Sequence, residues 1–154
     1  MPSTQVCADA SVLAKLVVME DDSNAARSLW LDWSDATVEV VAPDHVVYEV
    51  TSVIRNRVAR RLLSPETGRQ ALEAFLGLPL SLSPPLPLAE RAWELASQFE
   101  RPTLYDAYYL ALAESLTCDL WTADERLWRA VVGKVEWVHL LRDHRPERLE
   151  PPGE

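Results

Sequence analysis

The sequence predicts an α/β fold, with helices on both faces of a central parallel sheet of about five strands. Three observations carry this reading. Short β-branched runs alternate with longer runs of helical spacing along the chain. Strands separated by helices run parallel, because the helix supplies the return crossover. A chain of 154 residues, 48% hydrophobic and 25% charged, suffices for one core and is tight for two.

Taken in order, Gln5-Val-Cys-Ala reads as a short buried strand ending at Asp9. Residues 11–19 and 23–33 have helical spacing, with Glu20-Asp-Asp between them. Residues 37–42 (TVEVVA) form a second strand, closed by Pro43. Asp44 is then expected to cap a helix reaching about Arg61, in which Val46, Val47, Val50, Val53, Ile54 and Val58 make a core-facing stripe. Ser64-Pro65-Glu66 opens the next helix, with serine as cap and proline at the first helical position, ending near Gly77. Leu80-Ser-Leu reads as an edge strand, and the proline cluster after it leads into a helix over residues 87–99. Residues 103–116 are apolar almost all round, the mark of a largely buried helix. Leu120-Trp-Thr is a fourth strand, residues 124–132 a helix with Gly133 past its end, and residues 135–140 a fifth strand. The charged, proline-rich residues 142–154 are expected to form a flexible tail.

Composition narrows the function. Fifteen Lys and Arg against 24 Asp and Glu give a formal charge of −9, which taken alone disfavours a nucleic-acid partner. The longest uncharged stretch, residues 74–89, carries four prolines and does not suit a membrane span. The N-terminal segment lacks a basic region and is interrupted by Asp9 and Lys15, so a signal peptide is not expected. Cys7 and Cys118, in apolar company, are expected as reduced buried thiols in a cytoplasmic protein.

In open parallel sheets the ligand crevice lies beyond the carboxyl ends of the strands, where strand order reverses. Asp9, Asp106 and Asp124 fall at such ends or at the helices that follow. Each also has a structural reading: Asp9 as a helix cap, Asp106 as the acid of a capping box with Thr103, Asp124 as an acid favoured at a helix start. Glu49 lies mid-helix on the edge of the apolar stripe with no cap to serve, so it needs a partner, a metal or solvent. Arg60 or Asn56, on the same strip, would be its structural partner. Together the four are hard oxygen ligands, whose convergence calls for a cation such as Mg²⁺ or Mn²⁺. Competing chemistries lack support: His45, His139 and His144 are scattered without HExxH, the cysteines lack a zinc spacing, and no P-loop, GxGxxG or GxSxG is present.

The segments VCADASVLAKL around Asp9, APDHVVYEV around Glu49, LYDAYYLALAE around Asp106 and LWTADERL around Asp124 resemble the PIN-domain family, specifically the VapC-like toxin ribonucleases of type II toxin–antitoxin pairs. The resemblance covers about residues 5–140, in matching order. It implies a three-layer fold over residues 1–141, a single PIN-like nuclease domain, with Asp9, Glu49, Asp106 and Asp124 as an acidic quartet holding one or two Mg²⁺ or Mn²⁺ ions. Ser11 and Thr122 match small hydroxyl positions near that pocket. The implied activity is metal-dependent cleavage of RNA phosphodiester bonds, with Asp9 and Asp106 as principal ligands, Glu49 and Asp124 completing the site, and water as nucleophile. The implied partners are an RNA substrate, a cognate antitoxin that inserts a basic side chain into the pocket, and a second copy in a homodimer. A PIN-type nuclease of RNA processing or repair and a non-catalytic binding module are the alternatives. Arg55, Arg57, Arg60 and Arg61 form the main basic cluster available for RNA, with Arg126 and Arg129 a second; an ordinary solvated helix face paired to Glu66 or Glu73 is the competing reading. Trp93, Trp121, Trp128, Trp137, Tyr108 and Tyr109 fall mostly on apolar faces and read as core.

Overall fold

The computed structural model describes residues 4–146. The first strand, β1 (Gln5–Ala8), leads through Asp9 into helix α1 (Ala10–Val17) and then α2 (Ser23–Asp35). Strand β2 (Glu39–Pro43) precedes α3 (Val46–Ala59) and α4 (Pro65–Leu76); β3 (Leu80–Ser83) precedes a 3₁₀ turn (Leu86–Leu88) and α5 (Ala89–Gln98). Then come α6 (Tyr105–Leu116), β4 (Asp119–Thr122), α7 (Glu125–Val131), β5 (Val138–Leu140) and a 3₁₀ turn (Leu141–Asp143).

The five strands form one parallel sheet in the order β3-β2-β1-β4-β5, with the Leu80-Ser-Leu run at an edge as its sequence suggests. Growth from β1 runs outward through β2 and β3, then restarts on the other side with β4 and β5. Strand order therefore reverses between β1 and β4, at the carboxyl ends that carry Asp9 and Thr122. The two strands pair Cys7 with Leu120 and Ala8 with Trp121, and the Asp9 amide extends the ladder by donating to the Trp121 carbonyl at 3.2 Å.

The core is apolar from both sides of the sheet. Cys7, Ala8, Val41, Ala42 and Leu120 are buried strand residues, and α6 buries Ala107 and every residue from Tyr109 to Ala113. Both cysteines are free and buried. Helices α3 and α4 approach closely at Gly68, where an added Cβ would lie 2.3 Å from a methyl of Val58. Ser64 caps α4 by accepting from the Thr67 amide at 3.0 Å, with Pro65 at the first turn. Gly133, past α7, takes φ +77, the left-handed conformation that glycine adopts freely.

Several local expectations need correction. Asp44 does not cap α3; its amide donates to the Ser83 carbonyl at 2.9 Å, tying β2 to β3, and His45 occupies the cap position without a side-chain capping bond. Thr37 turns left-handed at φ 56, so β2 starts only at Glu39. The prolines confine the first turn of the helix expected from residue 87 to a 3₁₀ turn, and α5 begins at Ala89. Trp93 is 66% exposed rather than core, whereas Tyr109 is 1% exposed and Trp121, Trp128, Trp137 and Tyr108 pack partly buried against the core. Of the tail expected beyond residue 141, Arg142 bonds Glu125 at 2.7 Å and His144 meets Asp32 at 3.2 Å and the edge of the Trp121 ring. Residues 147–154 lie outside the described residues. Among the described residues no helix is long and apolar enough to cross a membrane.

Candidate active site

Asp9 is one of the few buried polar residues, 5% exposed, at the reversal point of the sheet. Its Oδ1 accepts from the Ser11 hydroxyl at 2.5 Å and from the Val12 amide at 3.2 Å, so it also caps α1. Its Oδ2 accepts from the Thr122 hydroxyl at 2.5 Å. Each hydroxyl is oriented by a backbone donor: Ala123 N–H to Ser11 Oγ at 2.8 Å and Asp124 N–H to Thr122 Oγ1 at 3.0 Å. Having accepted from the backbone, both hydroxyls turn their own protons onto Asp9. Burial nevertheless dominates and pushes the Asp9 carboxyl up to about 7; the three hydrogen bonds oppose this, and the charge of Asp106 adds to it. A buried carboxyl with no cationic side chain among its partners is costly to ionise.

The other acids of the quartet sit on three further helices, Asp106 near enough for its charge to act on Asp9. Asp106, in the first turn of α6, does not form a capping box: Leu104 holds the cap position without a side-chain bond, and Asp106 instead meets Arg101 Nη2 at 3.2 Å. Burial raises its carboxyl above the ordinary range, Arg101 pulls it back, and the charges of Asp124 and Glu49 raise it further. Glu49, in the first turn of α3, accepts from the Tyr109 hydroxyl at 2.8 Å and meets His45 Nε2 at 3.1 Å. Its partners are therefore not Arg60 or Asn56, because α6 carries Tyr109 to this face of α3. Asp124 caps α7, its Oδ1 accepting from the Arg126 amide at 2.8 Å and the Leu127 amide at 3.4 Å.

Asp106 repels Asp9 and is itself repelled by Asp124 and Glu49. Such a field favours a cation, and an all-carboxylate donor set suits Mg²⁺ or Mn²⁺ by hardness. Among the described residues, no three His, Cys, Asp or Glu side chains stand close enough together to hold an ion. The acids are turned onto protein partners instead: Asp106 onto Arg101, Glu49 onto Tyr109 and His45, Asp124 onto its helix. The donor chemistry thus fits a divalent cation, while in this structure Asp106, Glu49 and Asp124 are engaged by these protein partners.

Sequence reasoning missed Arg101, Tyr109 and His45 as neighbours of these acids. His45 was findable, four residues before Glu49 on one helix; Tyr109, on another helix from Glu49, was not. Of the four arginines singled out, Arg57 and Arg60 line a cavity of about 410 Å³ with Glu49. Arg55 lines a separate groove with Gly68 and Arg69, and Arg61 follows α3 at φ 60. In the second cluster Arg129 pairs with Glu125 at 3.0 Å.

Comparison with known proteins agrees with this layout. The PIN domain family matches residues 6–133. Ribonuclease VapC9 of Mycobacterium tuberculosis is 36% identical over 111 residues, 69% of this chain and 85% of that protein. Ribonuclease VapC12 of the same organism is 41% identical over 88 residues, 57% of this chain and 66% of that protein. The crystal structure of Mycobacterium tuberculosis VapC20, a sarcin-ricin loop cleaving toxin, superposes with a TM-score of 0.61 at 21% identity, covering 81% of this chain and 94% of that one. At that identity the likeness concerns the fold. The chain belongs to the PIN domain family, in its VapC ribonuclease branch.

Proposed function

We propose that this protein is a divalent-metal-dependent endoribonuclease and the toxin of a toxin–antitoxin pair. The observation that carries the reading is Asp9: a buried carboxylate at the sheet reversal, oriented by two hydroxyls and facing the charge of Asp106, which in turn feels Asp124 and Glu49. Asp9 and Asp106 serve as principal metal ligands, with Glu49 and Asp124 completing the site directly or through water. When bound, Mg²⁺ or Mn²⁺, as one ion or two, supplies Lewis-acid chemistry at a phosphodiester. Ser11 and Thr122 fix the rotamer of Asp9, and Tyr109 fixes that of Glu49. Water rather than the ribose 2′-hydroxyl is the nucleophile, so the products carry 5′-phosphate and 3′-hydroxyl ends.

The fold and the relatives support this reading, as does the position of Arg57 and Arg60 on the Glu49 side of α3. The proposed partners are a cognate antitoxin, whose basic side chain suits the acidic pocket, and a second copy in a homodimer. The proposed setting is the cytoplasm. Incubation of purified protein with structured RNAs, in Mg²⁺ and in EDTA, tests the activity. Cleavage is expected only with metal and is lost in Asp9→Asn and Asp106→Asn. Cleavage in EDTA, or full activity in both variants, would overturn the mechanism, and no cleavage of any RNA would leave a binding module.

A further inference from the structure

Beside the acids, helices α1 and α3 leave a cavity of about 500 Å³ between them. Ser11, Glu49 and Ala123 line it together with Lys15, Glu20 and Arg57. Lys15 Nζ meets Glu20 Oε2 at 2.6 Å, and Arg57 Nη2 meets Glu20 Oε1 at 2.6 Å. One carboxylate thus holds two cations, which leaves a net positive charge on this triad in a cavity that Glu49 also lines. The side chains are only 13%, 22% and 34% exposed for Lys15, Glu20 and Arg57, so solvent screens them less than an open surface pair. Helical periodicity sets their reach. Ser11 and Lys15 lie one turn apart, about 6 Å along α1, and Glu49 and Arg57 two turns apart, about 12 Å along α3.

We propose that Lys15 and Arg57 form a phosphate-binding subsite for the nucleotide flanking the scissile bond, with Glu20 as the internal stand-in that keeps both cations aligned. The inference rests on the ribonuclease reading above and adds to it where the strand is gripped. A chain that is acidic overall gains little from diffuse attraction to RNA, so a specific pair of cations beside the acids carries more of the register. The Arg57 guanidinium offers a planar fork and Lys15 a point charge, and together they can meet two oxygens of one phosphate. Glu20 competes with that phosphate for the same donors. A purely structural triad would tie α1, the segment after it and α3 together without affecting RNA.

The test uses full-length protein carrying Asp9→Asn, with binding of a fluorescent single-stranded RNA oligonucleotide read by anisotropy over a salt series. Lys15→Gln and Arg57→Gln are each expected to weaken binding by about tenfold, the loss of one charge-assisted contact. The double change should lower the salt slope by about 0.7, one single-strand phosphate. Glu20→Gln is expected to act in the opposite sense, tightening binding several-fold. Circular dichroism melts of each variant confirm the fold. The subsite is overturned, with the ribonuclease reading intact, if protein with Asp9 restored cleaves RNA and all three variants bind as the parent does. It is likewise overturned if Glu20→Gln weakens binding in step with the other two. If the Asp9→Asn parent does not bind RNA and the protein with Asp9 restored does not cut it, the ribonuclease reading falls and the subsite with it.

Discussion

Replacing Asp9 with asparagine is expected to stabilise the metal-free protein while abolishing cleavage. The folded carboxyl stands at about 7 against an ordinary value of 3.8. At roughly 1.4 kcal/mol per unit, ionising it above neutral pH costs the fold about 4 kcal/mol. Below the unfolded value both states are protonated and nothing is lost. As pH rises towards the folded value, the unfolded chain ionises freely while the buried group resists, so stability falls, and the full penalty persists above it. Asparagine removes that penalty but keeps one acceptor where the carboxylate offered two, so a hydroxyl of Ser11 or Thr122 loses its acceptor, at about 1–3 kcal/mol. The net gain is about 1–3 kcal/mol at pH 8, a rise of several degrees in Tm for a domain of this size. Urea melts of both proteins in EDTA at pH 5 and pH 8 check it. The advantage of the variant should grow with pH, and Mg²⁺ should stabilise the parent but not the variant. A variant less stable than the parent at pH 8 in EDTA would refute the claim that burial leaves Asp9 strained.

Other perturbations probe the contacts around the site and the core. Tyr109→Phe removes the donor to Glu49 and should lower turnover and raise the metal concentration for half-activity, with a stability change of about 1 kcal/mol in urea melts. Arg101→Gln frees Asp106 from its internal cation, so Mn²⁺ should bind several-fold tighter by calorimetry, although the metal-free protein melts lower. Leu110→Ala, at a fully buried position on α6, should cost about 2–5 kcal/mol in denaturant unfolding. Gly68→Ala forces its Cβ onto Val58 and should cost about 1–3 kcal/mol while leaving the metal affinity unchanged.

What the sequence revealed and what it hid follow a physical division. Periodicity and capping are local, so β1, the valine stripe of α3, the Ser64-Pro65 start of α4 and Gly133 after α7 could all be read directly. Asp9, Asp106 and Asp124 were approachable because they sit at strand ends or helix starts, which the parallel sheet sends to one edge; Glu49 stood out instead as an acid on the apolar stripe, read as mid-helix and found in the first turn of α3. Asp124 shows how the two roles overlap: its capping of α7 is real, and its charge still reaches Asp106. Pairings that join distant helices could not be read. Tyr109 to Glu49 needs α6 against α3, and Arg57 to Glu20 needs α3 against the segment after α1. Arg101 and Asp106 are only five residues apart, yet their contact depends on how the chain bends into α6 rather than on helical spacing. Charge counting misled most, because −9 describes the whole chain and says nothing of two cations placed beside the acids.

The central claim is that the four carboxylates direct water-driven, metal-dependent cleavage of RNA. The most direct test is the chemistry of the ends left on an RNA cut by the purified protein in Mg²⁺, beside Asp9→Asn and an EDTA control. The expected ends are 5′-phosphate and 3′-hydroxyl, absent from both controls. Ends with a 2′,3′-cyclic phosphate, or the same cuts in EDTA, would contradict the claim.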